Sequence, residues 1–157
     1  TIIKELEDDL WVGSVDGGLY NISQNKIIGR WEGLPDDRII ALDTAYNQML
    51  IGTGLGAALF LYDQPQQTWK EEFRSPYIQM VDIVEDDLWI GSYRGLYRSR
   101  GGLFEELLFP HSVFALAHDP QEGQLVGYDG LHLLSKDDTH HHFPDFHRPQ
   151  ETNYAEH

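Results

Sequence analysis

The sequence predicts an all-β chain of four successive units, each of four antiparallel strands, and three observations carry that prediction. One phrase recurs four times, as Leu10-Trp11-Val12-Gly13, Met49-Leu50-Ile51-Gly52, Leu88-Trp89-Ile90-Gly91 and Gln124-Leu125-Val126-Gly127, with its glycines 39, 39 and 36 residues apart. After each phrase come a small turn and a second apolar pair, in Gly18-Leu19-Tyr20, Ala58-Leu59-Phe60, Gly95-Leu96-Tyr97 and Gly130-Leu131-His132. Helical periodicity is missing almost throughout, whereas short β-branched, aromatic and aliphatic runs alternate with turn residues. Self-similarity at about forty residues, with four strands in each period, is the pattern of a β-propeller blade.

Aligned on the phrase glycine, each unit has an inner strand, the phrase strand, the Gly-Leu-Tyr strand and a polar outer strand. Arg38–Leu42 and Val113–Leu116 are the clearest inner strands, and Lys26–Trp31 the clearest outer one. Tight hairpins between first and second strands are expected at Asp8-Asp9, Tyr46-Asn47-Gln48, Glu85-Asp86-Asp87 and Gln121-Glu122-Gly123, where Asp, Asn and Gly tolerate the turn geometry. The phrase glycines end strands that approach a neighbour closely, where a Cβ would not fit. Gly52-Thr53-Gly54-Leu55-Gly56 has neither the following helix nor the lysine of a phosphate cradle, so it reads as a turn. Trp11 and Trp89 in the phrases, and Trp31 and Trp69 in outer strands, are expected to fill the wedges between twisted sheets.

The expected organisation is a single domain over 1–147, in repeats of about 1–34, 35–74, 75–109 and 110–147, followed by a tail at 148–157. The chain starts 12 residues before its first phrase glycine and ends 30 after its last, which makes four complete blades. Two architectures follow: a ring closed within one chain, which is the favoured one, or half of a larger ring completed by a second copy as a homodimer.

With 26 acidic against 11 basic residues, the net charge is -15. A field of that sign repels nucleic acid and anionic membranes, and its simplest role is solubility. There is no cysteine, hence no disulfide framework, and the compartment stays open between periplasm and cytoplasm. No apolar run reaches the roughly 18 residues of a membrane span, so a soluble chain is expected.

The phrase Asp-Asp-Leu-Trp-Val/Ile-Gly-Ser followed by Gly-Leu-Tyr, at Asp8 to Tyr20 and Asp86 to Tyr97, resembles the two-component regulator propeller repeat of bacterial signalling proteins. The resemblance implies a propeller that serves as a ligand-sensing input. A weaker likeness, through Asn25-Lys26-Ile27-Ile28-Gly29-Arg30, is to the streptogramin lyase propeller.

Loops joining second to third strands, and those joining one blade to the next, gather on one face of a propeller. Here they supply Asp16, Asp37, Arg38, Arg74, Tyr77, Tyr93, Arg94, His111, Tyr128 and Asp129, a set rich in the Tyr and Arg that anchor protein interfaces. The leading expectation is a non-catalytic binding module that presents this face to a protein partner, as an accessory subunit of a larger bacterial assembly. A small-molecule sensor is the second. A metal-assisted lyase, with His111 beside Asp36, Asp37 or Asp129, is the third. No cofactor is expected except at the tail, where alternation on a strand puts His140 and His142 on one face. With His147 or Asp145 these could complete a divalent-metal site.

Overall fold

The computed structural model describes residues 1–61, 64–69, 77–100, 103–107, 112–127 and 130–143, and at 31, 64–69 and 103–107 the backbone alone. These residues form four antiparallel sheets, each drawn from one continuous stretch of chain. The first contains β1 (Ile2–Leu6), β2 (Asp9–Ser14), β3 (Gly18–Asn21) and β4 (Lys26–Ile28). The second contains β5 (Ile39–Ala45), β6 (Gln48–Thr53), β7 (Gly56–Leu61) and β8 (Gln64–Trp69). The third contains β9 (Ile78–Val84), β10 (Asp87–Ser92), β11 (Gly95–Arg100) and β12 (Leu103–Leu107). The fourth contains β13 (Ala115–Asp119), β14 (Gly123–Gly127), β15 (Leu131–Ser135) and β16 (His140–Phe143).

Each phrase is therefore the second strand of its sheet. Its inner hairpin is tight because Leu6 pairs Asp9, Ala45 pairs Gln48 and Val84 pairs Asp87. That leaves two-residue turns whose first members, Glu7, Tyr46 and Glu85, have φ of 53°, 53° and 55°. Left-handed turn residues match the right-handed twist of the flanking strands.

The sheets stack through a repeated contact between unlike faces. In the first sheet Ile2, Gly13, Leu19 and Ile28 lie opposite one another across the register. This face, with Trp11, packs on Leu42, Ile51 and Ala58 of the second sheet. The glycine-bearing face of the second sheet, with Leu50 and Leu59, meets Val81, Ile90 and Tyr97 of the third. Trp89 and Leu96 of the third sheet meet Val126 and Leu134 of the fourth. Burying a Leu or Ile fully stabilises the fold by about 1.5–3 kcal/mol, and Leu19, Ile51, Ile90 and Val126 are wholly buried.

The phrase glycines form sockets for these contacts. A Cβ on Gly13 would stand 2.6 Å from Ile39 Cγ2, one on Gly52 2.6 Å from Ile78 Cγ2, and one on Gly91 2.8 Å from Val113 Cγ1. In each case the β-branched side chain arrives from the start of the next sheet. Trp11 and Trp89 are core residues, 3% and 6% exposed, as the repeat implies; the side chains of Trp31 and Trp69 lie outside the described residues.

Three expectations need correction. The first outer strand stops at Ile28, and Arg30–Glu32 form a short 3-10 turn. The Gly29 amide donates to the Glu32 carboxylate at 2.7 Å and the Arg30 amide to Asp37 at 2.7 Å, and these side-chain acceptors replace strand pairing. The fourth inner strand starts at Ala115, and the Val113 amide ahead of it donates to the Ser92 carbonyl of the third sheet at 2.8 Å. Finally, β1 contacts β5, β5 contacts β9 and β9 contacts β13, but β13 and β1 make no comparable contact among the described residues. Among the described residues the four sheets form a row that is not closed into a ring, in place of the self-closed arrangement expected.

Candidate functional site

The loops between β2 and β3, β6 and β7, and β10 and β11 meet the segments that lead into the next sheet. The Gly18 amide donates to the Asp37 carbonyl at 2.8 Å, Gly54 to Arg38 at 3.3 Å and Tyr93 to Tyr77 at 3.2 Å. A hydroxyl one residue past each of the first three phrase glycines shapes its turn. Ser14, Thr53 and Ser92 accept from the amides of Asp16, Leu55 and Arg94 at 3.3, 3.2 and 3.1 Å. Thr53 and Ser92 also donate to the carbonyls of Gly56 and Gly95, at 2.7 and 3.2 Å. Sequence reading overlooked this role, although Gly-Ser or Gly-Thr ends three of the four phrases.

This bracing projects apolar and aromatic groups into solvent, with Val15 49%, Leu55 42%, Tyr77 39% and Tyr93 57% exposed. The rings of Tyr77 and Tyr93 meet edge-to-face, their centroids 5.7 Å apart at 71°, a favourable arrangement of aromatic quadrupoles. Asp16, Arg38 and Arg94 are exposed beside them. Asp37 instead caps the turn after β4, accepting from the Arg30 amide and, at 3.0 Å, from its guanidinium. Arg74, His111, Tyr128 and Asp129 lie outside the described residues, as do two of the groups invoked for a lyase centre.

A second feature lies between the inner strands, in a cleft of about 400 Å³ bordered by Lys4, Asp43, Met80 and Asp82. Lys4, Asp43 and Asp82 pair with Trp11, Leu50 and Trp89, so they are one repeat position in three sheets. The Lys4 ammonium donates to Asp43 at 3.0 Å and the Ile83 amide to its other oxygen at 2.8 Å, while Gln124 donates to Asp82 at 3.0 Å. Burial pushes the Asp82 carboxyl above the usual range, the Gln124 bond opposes this, and the negative charge of Asp43 adds to the rise. The spacing that revealed the phrase also carries these three residues, and it could have found them.

Between the third and fourth sheets is a smaller hollow of about 210 Å³. Arg98, only 3% exposed, makes a two-pronged contact with Asp138 at 2.5 and 3.2 Å and lies 5.4 Å over the ring of Trp89. The guanidinium, which donates hydrogen bonds to Asp138, holds that carboxyl below its ordinary value.

At the tail, His140 and His142 share a face of β16 with His132 of β15, which pairs His142. The His132 and His142 rings stack at 4.4 Å, and His132 Nδ1 lies 2.8 Å from His140 Nε2. Partial burial, reinforced by the charges of His142 and His141, lowers the His140 pKa. His147 and Asp145 lie outside the described residues, and among the described residues no group of three or more His, Cys, Asp or Glu is placed to hold a metal ion. His132 was missed because its partnership depends on cross-strand register. No helix among the described residues is long and apolar enough to cross a membrane.

No family model matches the chain, and no curated protein matches it in sequence. Solved structures do. The extracellular domain of the putative hybrid two-component system BT3049 from B. thetaiotaomicron superposes with a TM-score of 0.72 at 13% identity, over 91% of this chain and 21% of that one. The extracellular domain of BT4673, another putative hybrid two-component system from B. thetaiotaomicron, gives 0.69 at 18% identity, over 91% and 21%. The computationally designed Ika8 protein gives 0.65 at 14% identity, over 86% and 45%. The chain thus spans less than half the length of each of these three chains. The likeness is one of fold, and it supports the two-component propeller resemblance at that level; the streptogramin lyase resemblance gains no support from these neighbours.

Proposed function

We propose that the four sheets are blades of a β-propeller and that the module is a non-catalytic receiver, binding a protein partner through its loop face. The observation that carries this reading is the exposed Tyr77 and Tyr93 pair, with Val15 and Leu55 exposed on the equivalent hydroxyl-braced turns beside Asp16 and Thr53, and Arg94 next to Tyr93. Rigid aromatic groups with a charged rim are what protein interfaces use. Replacing both Tyr93 and Arg94 by alanine tests it. Quantitative capture from the native source should lose the specific partner, with an unchanged circular dichroism spectrum; equal capture by the variant would remove the reading.

A small-molecule sensor is the second reading, favoured by the cleft at Lys4, Asp43 and Asp82. A thermal-shift screen separates the two, since a ligand of that cleft raises the melting temperature saturably. Divalent metal binding at His140 and His142 is a further proposal, supported by their shared face and by the lowered pKa of His140, which keeps the ring neutral and able to ligate. Calorimetric titration with zinc should give saturable heat that His140→Ala with His142→Ala abolishes; heat unaltered by that change would refute it.

A further inference from the structure

Each junction inside the chain joins a glycine-bearing face to the opposite face of the following sheet, and two such faces are left over. On the fourth sheet, register puts Ala115, Ala117, Leu125, Leu131, Leu133 and Phe143 on the glycine-bearing face. The atoms nearest a Cβ on Gly127 all belong to Ala115 of its own sheet, whereas the other three phrase glycines each receive Ile39, Ile78 or Val113. Ala117 pairs Leu125, the position that Lys4, Asp43 and Asp82 hold in the other sheets, so the polar links of the inner cleft end there.

On the first sheet, the opposite face carries Ile3, Leu10, Val12, Tyr20 and Ile27. Ile3 and Ile27 are 60% and 58% exposed. In the second and third sheets the counterparts of Ile3, Val12 and Tyr20 are core, Leu42, Ile51 and Ala58 and then Val81, Ile90 and Tyr97, while Ile27 stands where Thr68 and Glu106 stand there. One end of the row thus offers a socketed face and the other end the kind of face that fills it.

The geometry points to a second copy of this chain as the occupant. The first sheet of each copy seats on the fourth sheet of the other, and two chains related by a twofold axis complete a ring of eight sheets. All three internal junctions show what covers a glycine-bearing face, and the only such covering face this sequence leaves unoccupied among the described residues is that of its first sheet. Within one chain, β1 and β13 make no contact comparable to the internal junctions among the described residues. Although the chain carries a charge of -15, the ionisable groups that register places on these faces are Glu5, Tyr20, Asp119 and His141, so the contact buries mainly apolar surface. A head-to-tail contact of this kind closes into a ring when the rotation allows and otherwise grows into a filament.

The inference rests on the propeller reading but not on the loop face, so the Tyr93 and Arg94 double variant should leave the mass unchanged. Sedimentation equilibrium of the 157-residue chain should give twice the 18.1 kDa of one chain. A single-chain mass across micromolar concentrations, or an open-ended series of masses, overturns it. Ile3→Glu and Ala117→Glu, both at exposed positions, should each reduce the mass to one chain with an unchanged circular dichroism spectrum. Mixing these two variants should restore a two-chain species, because one of the two junctions is then unaltered. If one variant stays fully dimeric, or if mixing restores nothing, the pairing is not head-to-tail and the inference fails.

Discussion

Asp82 and Asp138 show how two carboxylates in one molecule answer acid in opposite ways. The Asp138 carboxyl sits below its ordinary value because Arg98 donates to it, so its stabilising share is present above the unfolded Asp range and is lost as pH falls through the lowered value. The Asp82 carboxyl sits above its ordinary value because it is buried, with Asp43 nearby. Its contribution is most favourable below the unfolded range and fades as pH rises through the raised value. Asp82→Asn imitates the protonated form and can still accept from Gln124. The variant should therefore melt at a higher temperature than the wild type near neutral pH, and the two curves should converge in acid. A gap that stays constant from neutral to acidic pH would show that the ionisation of Asp82 is not its cause. Much at this scale was hidden in the sequence. The repeat spacing marks the position of Asp82 but not its neighbours, which are set by sheets that lie apart in the chain, and His132 was legible only through its pairing with His142.

At the scale of the strand and the sheet, the glycine socket is the recurring device. Gly52→Ala would place a Cβ 2.6 Å from Ile78 Cγ2 and 3.2 Å from Ala41 Cβ. Overpacking of a tight interior costs about 1–3 kcal/mol, and Ile78→Ala alone should cost about 2–5 kcal/mol through the cavity it leaves. Combined, the two should cost less than their sum by about 0.5–3 kcal/mol, as read from urea unfolding midpoints; strict additivity would mean that the two residues do not share the junction. The phrases and hairpins were legible because period-two alternation and turn chemistry are local signals. The extent of the first outer strand was not, because Gly29, Glu32 and Asp37 redirect the backbone with side-chain bonds that no periodicity records.

For the whole molecule, charge and closure are the governing quantities. A net charge of -15 favours a basic partner surface, so capture by the loop face should weaken as salt rises and the Debye length shrinks from about 10 Å at 0.1 M to about 3 Å at 1 M. Partner capture that salt leaves unaltered would mean that Tyr77 and Tyr93, and not the acidic field, dominate the contact. The repeat identified the sheets and their order, but it could not say whether the row meets itself. Closure depends on how far each sheet turns relative to the last, and that angle is the sum of many side-chain contacts between neighbouring sheets.

The sockets also impose a direction in time. Each of the first three phrase glycines is filled by a residue that follows it in the chain, Ile39 after Gly13, Ile78 after Gly52 and Val113 after Gly91. A ribosome delivers the chain from its amino end, so every socket is finished before its occupant emerges, and each new sheet has a completed template to settle on. No early sheet has to wait for the carboxyl end in order to bury its glycine-bearing face.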